Sequence, residues 1–417
     1  MPCVSDEPLT AARADIIKRL QTQFGLILAH DTGTGKTLSA IAAAERYPNI
    51  DVLVLTPAGL VSNFVKELGT YCVAKPGRYA VRSYNSLLTS PVACSKKFLI
   101  CDEAHRLRSN GKITQAVMEC AAKAFRVLLL TATPVVNRPA DMINLVAMVS
   151  RKRPMPEKAF ELFWQSRDIK TLRKYISFLR KNTADFPDVK FHTVKLKMPG
   201  DYYREYRQVE LQQFKGRPAA QVINSDADVF AFLSGVRRAS NAAAVEGNPK
   251  ISWIADKVAS AKGGKFIIYS EWIKAGADLI RQAFPDAGIL TGDMSAKQRD
   301  AVVRAYNENK IRVLFISGAG SEGVDLKNTT DVILLEPSWN QAREAQVVGR
   351  AARFKSHEPG KTVHVWKLVL QKPGVGVFGK LTGREWSDHI PSADDLVVQI
   401  QDKKKALNLE FESKLRG

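Results

Sequence analysis

The sequence predicts an α/β protein: two parallel sheets covered by helices, in tandem, with a basic helical connector. Three observations predict it. A chain of 417 residues is too long for one comfortable hydrophobic core. Short continuous apolar runs, each of strand length, fall in two groups separated by about one domain's worth of chain. The stretch between the groups has a different composition, basic and aromatic.

Taken in order, Leu26–Ala29, Val52–Leu55, Phe98–Cys101 and Val127–Leu130 each end at a turn-rich or polar segment, as strands buried on both faces do. The rhythm returns at Phe266–Tyr269, Val313–Ile316, Val332–Leu335 and Val363–Leu368. These groups place a first lobe at residues 1–150, the connector at 151–248 and a second lobe at 249–390. Within the connector, FELFWQSRDIKTLRKYISFLRK and DYYREYRQVELQQF read as amphipathic helices, and KFHTVKLKM as an extended, alternating segment. NAAAVEGNP reads as a linker into the second lobe. Residues 391–417 form a C-terminal helix, capped at PSADD and running to Leu415.

Composition bounds the function. The net charge is +20, and the segment from Arg151 to Ala220 holds 17 Lys/Arg against 8 Asp/Glu. Such a surplus favours a polyanion, because each neutralised phosphate releases counterions. No run approaches the roughly 18 apolar residues of a membrane span, and the N-terminus lacks a basic segment followed by an apolar one. A soluble, intracellular protein without a membrane partner is expected; nucleus and viral or cytoplasmic replication site are not distinguished. Five cysteines without a CxxC pair argue against structural zinc and for reduced thiols.

The chemistry starts at LILAHDTGTGKT, residues 26–37. A strand, a Gly-rich turn and a helix in that order can cradle phosphates on backbone N–H groups. Asp31, Thr32, Gly33, Thr34, Gly35, Lys36 and Thr37 form the ATP loop, with Lys36 reaching the β- and γ-phosphates and Thr37 binding magnesium. The strict pattern has a glycine where this chain has His30. Phe98–Cys101 then delivers Asp102-Glu103-Ala104-His105; Asp102 can hold Mg2+ and Glu103 can orient or deprotonate the attacking water.

With these residues in place the chain resembles superfamily 2 helicases of the SWI/SNF type. Thr131-Ala132-Thr133-Pro134 matches motif III; TPAGLVSNFVKEL and SYNSL match motif Ia and the Tyr-centred motif after it. KFIIYSEW, LTGDMSAKQRDAVVRAYN, SGAGSEGVDL and WNQAREAQVVGRAARFKSH match motif IV, the adjoining helical motif, motif V and motif VI. The resemblance runs from about Leu9 to Leu368, and its motif VI ending is most similar to the helicase-like ATPases of large DNA viruses, including poxvirus nucleoside triphosphatases.

The resemblance implies two RecA-like lobes, ATP and Mg2+ as cofactors, and a motor that translocates on nucleic acid, with double-stranded DNA as the track. It gives Gly323 and Asp325 to the ATP site, and catalytic roles to Lys36, Glu103, Gln346, Arg350 and Arg353. The two arginines, three apart, are expected on one helix face. It places Thr56, Pro57, Tyr84, Asn85, Thr291 and Gly292 near a strand backbone, with Ser270 and Ser317 opposite; such donors contact phosphate without reading sequence. Trp272 and Trp339 are expected to pack. Alternatives are an RNA-directed DEAH helicase, a viral transcription-associated nucleoside triphosphatase, and a non-enzymatic scaffold, which the filled catalytic positions argue against. Arg13 stands where the family has an adenine-reading Gln. Arginine offers donors only, so weak base discrimination is expected, which a comparison of the four ribonucleotides reads.

Overall fold

The computed structural model describes residues 10–416 apart from 32, 72, 74, 91, 136–137, 180–185, 214–234, 243–246, 319, 321–323, 340, 354–355, 359 and 374–390. Contacts divide the chain into unit 1, residues 1–182 with 403–417, and unit 2, residues 183–402.

Unit 1 is built on a six-stranded parallel sheet of order β3-β2-β4-β5-β1-β6. Its strands are β1 (Gly25–His30), β2 (Val52–Thr56), β3 (Tyr79–Ser83), β4 (Phe98–Cys101), β5 (Arg126–Thr131) and β6 (Ile176–Leu179). Side chains alternate faces along a strand. Leu53, Leu55, Leu99, Val127 and Leu129 therefore pack on one face, and Leu26, Leu28, Val54, Ile100 and Leu128 on the other. Both faces are helix-covered, which explains why the central strands read as unbroken apolar runs.

Unit 2 repeats the plan with the parallel order β7-β12-β11-β8-β10-β9. These strands are β7 (Asp188–Lys197), β8 (Phe266–Ser270), β9 (Gly288–Leu290), β10 (Val313–Ser317), β11 (Asp331–Leu334) and β12 (Thr362–Gln371). A polar core lies at the ends of β8 and β11. Lys250 and Asp394 are both fully buried and pair at 2.8 Å. Lys250 Nζ also donates to Asn241 Oδ1 at 2.9 Å, and Asn241 donates to Glu336 Oε2 at 2.5 Å. Two charges this deep persist because each is bonded; removing one partner strands the other, at a cost of about 3–5 kcal/mol.

The connector departs from expectation. FELFWQSRDIKTLRKYISFLRK is not one helix: Glu157–Gln165 is α-helical, Arg167–Tyr175 is a tighter 3-10 run, and Ile176–Leu179 is β6, paired with β1. Ser166 makes the break, its hydroxyl accepting from Asp168 N at 3.2 Å. The alternating segment is β7, which adds to the second sheet beside β12. Residues 151–248 are thus divided between the two units, with the boundary at Asn182 and Thr183. The C-terminal helix, Ala393–Arg416, is divided as well. Its end belongs to unit 1, where Phe411 stacks on Trp164 at 5.4 Å.

The reduced-thiol expectation is corrected too. Cys94 and Cys120 form a disulfide across 26 residues, from the loop before β4 to the helix Lys112–Lys123, while Cys101 is free and buried. The spacing carries no motif; only tertiary packing brings the two together. Among the described residues no helix is long and apolar enough to cross a membrane.

Candidate ATP site and nucleic-acid interface

The C-terminal ends of β1, β4 and β5 carry the unit 1 chemistry, where open α/β sheets place ligands. After β1 the chain turns through Gly33 (φ 84°) and Gly35 (φ 77°) into the helix Lys36–Glu45. Both left-handed positions are cheap only for glycine. Gly35 sits where a Cβ would come within 3.9 Å of Arg13 Nη2, so the Arg13 guanidinium lies at the loop. Thr34 Oγ1 donates to Asp31 O at 2.8 Å. Thr32 lies outside the described residues. Lys36 Nζ donates to His30 O at 2.9 Å and Asp31 O at 3.1 Å. Burial pulls the Lys36 ammonium below its usual range, while Glu103, Asp102 and Asp31 oppose that shift.

At the end of β4, Asp102 Oδ1 accepts from Glu103 N at 3.0 Å. Burial, then the adjacent Glu103 charge, push the Asp102 carboxyl above the usual carboxylate range, and Lys36 pulls it back. Glu103 adopts a left-handed backbone (φ 50°, ψ 46°), which costs a non-glycine residue about 1–2 kcal/mol. His105 Nδ1 lies 3.3 Å from Glu103 Oε2 and 3.4 Å from Thr131 Oγ1. Burial raises the Glu103 carboxyl, but His105, Lys36 and Arg106 together outweigh it and hold it below its ordinary range. Such a group is ionised at neutral pH. Thr133 Oγ1, in the turn after β5, is buried with no hydrogen-bond partner. The sequence marked its motif but not this open hydroxyl.

His30, the departure from the strict loop pattern, is fully buried and shares a 3.0 Å hydrogen bond with Ser177 Oγ on β6. Burial, then the Lys36 charge, lower its pKa from 6.5 to about 4. A depressed histidine is folded in its neutral form. Its contribution is complete above pH 6.5 and is lost as pH falls towards 4, a swing on the order of 3 kcal/mol. His30→Gln should flatten the loss of unfolding free energy between those pH values; an unchanged pH profile would show that His30 does not govern it.

Most of the residues expected near a strand backbone are buried. Thr56 is fully buried, and its hydroxyl lies 3.4 Å from Asp102 Oδ2. Tyr84 is 5% exposed and donates to Asp102 O at 2.6 Å. Ser270 donates to Glu336 Oε1 at 3.0 Å, and Ser317 Oγ accepts from Gly320 N at 3.2 Å. The Thr56, Tyr84 and Ser270 hydroxyls thus donate to protein oxygens, while Ser317 Oγ accepts a backbone N–H. Thr291 is buried, with its N–H 3.4 Å from Met294 Sδ. Gly292 and Asn85 are exposed. Pro57, Tyr84 and Asn85 share the lining of a cavity of about 470 Å³ in unit 1.

In unit 2, Gln346 and Arg350 lie four apart on the helix Gln341–Ala351, and the Arg350 carbonyl accepts from Leu326 N at 3.2 Å. Arg353 follows the helix rather than sharing its face, correcting the expected pair. The segment turns there because Ser356 Oγ accepts from Arg353 N at 3.0 Å. Arg353 Nη1 lies 3.9 Å from Asp325 Oδ1; Gly323 lies outside the described residues. Trp272 and Trp339 pack as expected, around the buried Arg237 guanidinium at 5.6 and 5.2 Å.

The chain is similar to known proteins along most of its length. The SNF2-related domain family matches residues 79–186, and the helicase conserved C-terminal domain family matches residues 249–355. A protein of Acanthamoeba polyphaga mimivirus, named as an ATP-dependent RNA helicase, is 28% identical over 372 residues, covering 82% of this chain and 83% of that protein. The termination factor NPH-I homolog of African swine fever virus is 22% identical over 476 residues, covering 80% and 67%. Among solved structures, the Sulfolobus solfataricus SWI2/SNF2 ATPase core in complex with dsDNA is 18% identical, covers 96% of each chain and has a TM-score of 0.38. With an SNF2-related domain and a helicase C-terminal domain in tandem, the chain belongs to the SNF2-type, superfamily 2 helicase-like ATPases.

Proposed function

We propose that this nucleic-acid-dependent ATPase uses magnesium and translocates along nucleic acid, with duplex DNA as its track. The observation that carries the reading is the convergence of Lys36, Asp102 and Glu103 at the ends of β1 and β4, each within electrostatic reach of the others. The residues fit the implied ion: a buried carboxyl raised by burial and a neighbouring carboxylate is the donor that a divalent cation restores to its ionised form. Thr37 and Asp102 would hold the magnesium. When bound, it would neutralise charge on the phosphates.

The chain's own residues do the rest. Lys36 exchanges its two carbonyl partners for phosphate oxygens. Glu103, ionised and aligned by His105, orients the attacking water and accepts its proton. Gln346 and Arg350 of unit 2 supply donors and positive charge to the γ-phosphate, with Arg353 and Asp325 as their neighbours. Hydrolysis then depends on both units. The SWI/SNF-type motifs Ia and VI favour duplex DNA; the name of the mimivirus relative favours the second reading, an RNA-directed motor. The African swine fever virus relative's name leaves open a transcription-associated role.

Steady-state ATPase activity, alone and with duplex DNA, single-stranded DNA and RNA at matched salt, separates these. Duplex DNA should stimulate most at low salt, and stimulation should decline as salt rises, because phosphate contacts dominate. A larger response to RNA would replace the DNA reading, and salt-independent stimulation would contradict backbone binding.

A further inference from the structure

The helix Gln341–Ala351 has two unlike faces. At about 100° per residue, Glu344, Val347, Val348 and Ala351 fall on one side, and Gln346 and Arg350 on the other. The first set is buried, its three apolar members in the core of unit 2, while Gln346 and Arg350 are half-buried. Apolar burial presses the helix onto its sheet, but it is non-directional and does not fix rotation about the helix axis.

Glu344, in the first turn, supplies the direction. Its Oε1 accepts from Ser338 N at 2.8 Å and from Gln401 Nε2 at 2.6 Å. Its Oε2 lies 2.9 Å from Lys367 Nζ on β12. Lys367 Nζ also donates to Gln401 Oε1 at 2.6 Å, closing a ring of three side chains. Gln401, on the final helix and 1% exposed, also donates through Nε2 to Ser338 O. An amide suits this place, because its NH₂ meets the carboxylate while its carbonyl meets the ammonium. Ser338 is held from the other side as well, its hydroxyl donating to Glu271 Oε1 at 2.6 Å.

We propose that Gln401 is a positioning residue for ATP hydrolysis: through Glu344 it sets the rotation of the helix that carries Gln346 and Arg350, and so the aim of the Arg350 guanidinium. The inference rests on the role given above to Gln346 and Arg350. A productive site tolerates a misorientation of about 10–20°. At a side-chain radius of about 6 Å, such a rotation moves the guanidinium by about 1–2 Å, a displacement that can cost about 10²-fold in rate.

Gln401→Met tests it, since methionine is also long and unbranched but makes neither bond. Turnover at saturating ATP and nucleic acid should fall about 10- to 100-fold, with ATP affinity within about twofold. Unchanged turnover would overturn the proposal, and so would a collapse of ATP affinity, which would make Gln401 part of the fold of the site. A background in which Gln346 and Arg350 are both alanine decides between aim and stability. There Gln401→Met should change single-turnover hydrolysis by less than about twofold, because nothing is left on that face to aim. A further tenfold loss in that background would make Gln401 merely structural and overturn the proposal. Lys367→Met, which opens the ring at its more exposed side, is the second variant: its smaller loss should vanish in the same background, and persistence there would overturn the proposal equally. If Arg350→Ala and Gln346→Ala alone left turnover unchanged, the roles given to those two residues would fall, whatever Gln401 does.

Discussion

Arg350→Ala should lower turnover by about 10³–10⁵, roughly 4–7 kcal/mol of transition-state stabilisation, while ATP affinity changes only a few-fold. The charge that develops on the γ-phosphate needs a cation held in place before the reaction, and Arg350 is fixed on a helix whose carbonyl end is bonded to Leu326. Arg353→Ala should cost much less. Arg353 lies beyond the helix beside a half-exposed Asp325 at 3.9 Å, a pairing that is weak in water. Arg350→Lys should not restore the rate, because an ammonium lacks the guanidinium fork. Single-turnover hydrolysis together with nucleotide titration checks all three variants. Equal loss from Arg350→Ala and Arg353→Ala would mean that the helix does not single out Arg350.

Glu103→Gln should retain ATP binding and slow hydrolysis by about 10²–10⁴, the usual worth of a positioned general base. The amide keeps the size and the left-handed backbone of Glu103 but cannot accept the proton. Because His105, Lys36 and Arg106 hold the carboxyl below its ordinary range, wild-type turnover should not require titration of Glu103 anywhere near neutral pH. Pre-steady-state measurement of bound, uncleaved ATP in the variant decides the matter; a collapse of affinity would make Glu103 a structural residue.

The central strands were legible because they are buried on both faces, which leaves little choice but continuous apolar sequence. The four strands outside those runs, β3, β6, β7 and β9, are the four sheet edges. An edge strand has a neighbour on one side only and tolerates polar positions, so YAVRS and ISFL blur into their surroundings. KFHTVKLKM announced an extended segment by alternation, yet nothing local told which sheet β7 would join. The Gly-rich turn and the acidic pair stand out in the sequence because their signal depends on spacing within a few residues. The inward turn of the Thr56, Tyr84 and Ser270 hydroxyls was not, since it depends on partners 46, 18 and 66 residues away. The Lys250–Asp394 pair, 144 residues apart, lies beyond any local pattern.

The return of the final helix to unit 1 has a consequence for how the chain must be made. Phe411 sits in the same core as Ile27, Leu129 and Trp164, so the first lobe is interrupted by the whole of the second. A ribosome that has finished residue 182 has made all six strands of the first sheet but not the helix end that brings Leu407 and Phe411 to its core. Unit 2 can close on its own consecutive residues, whereas unit 1 waits about two hundred residues for its last aromatic side chain. The core of unit 1 is therefore completed only after all of unit 2 has been made, and the place that Phe411 fills beside Trp164 stays empty until then.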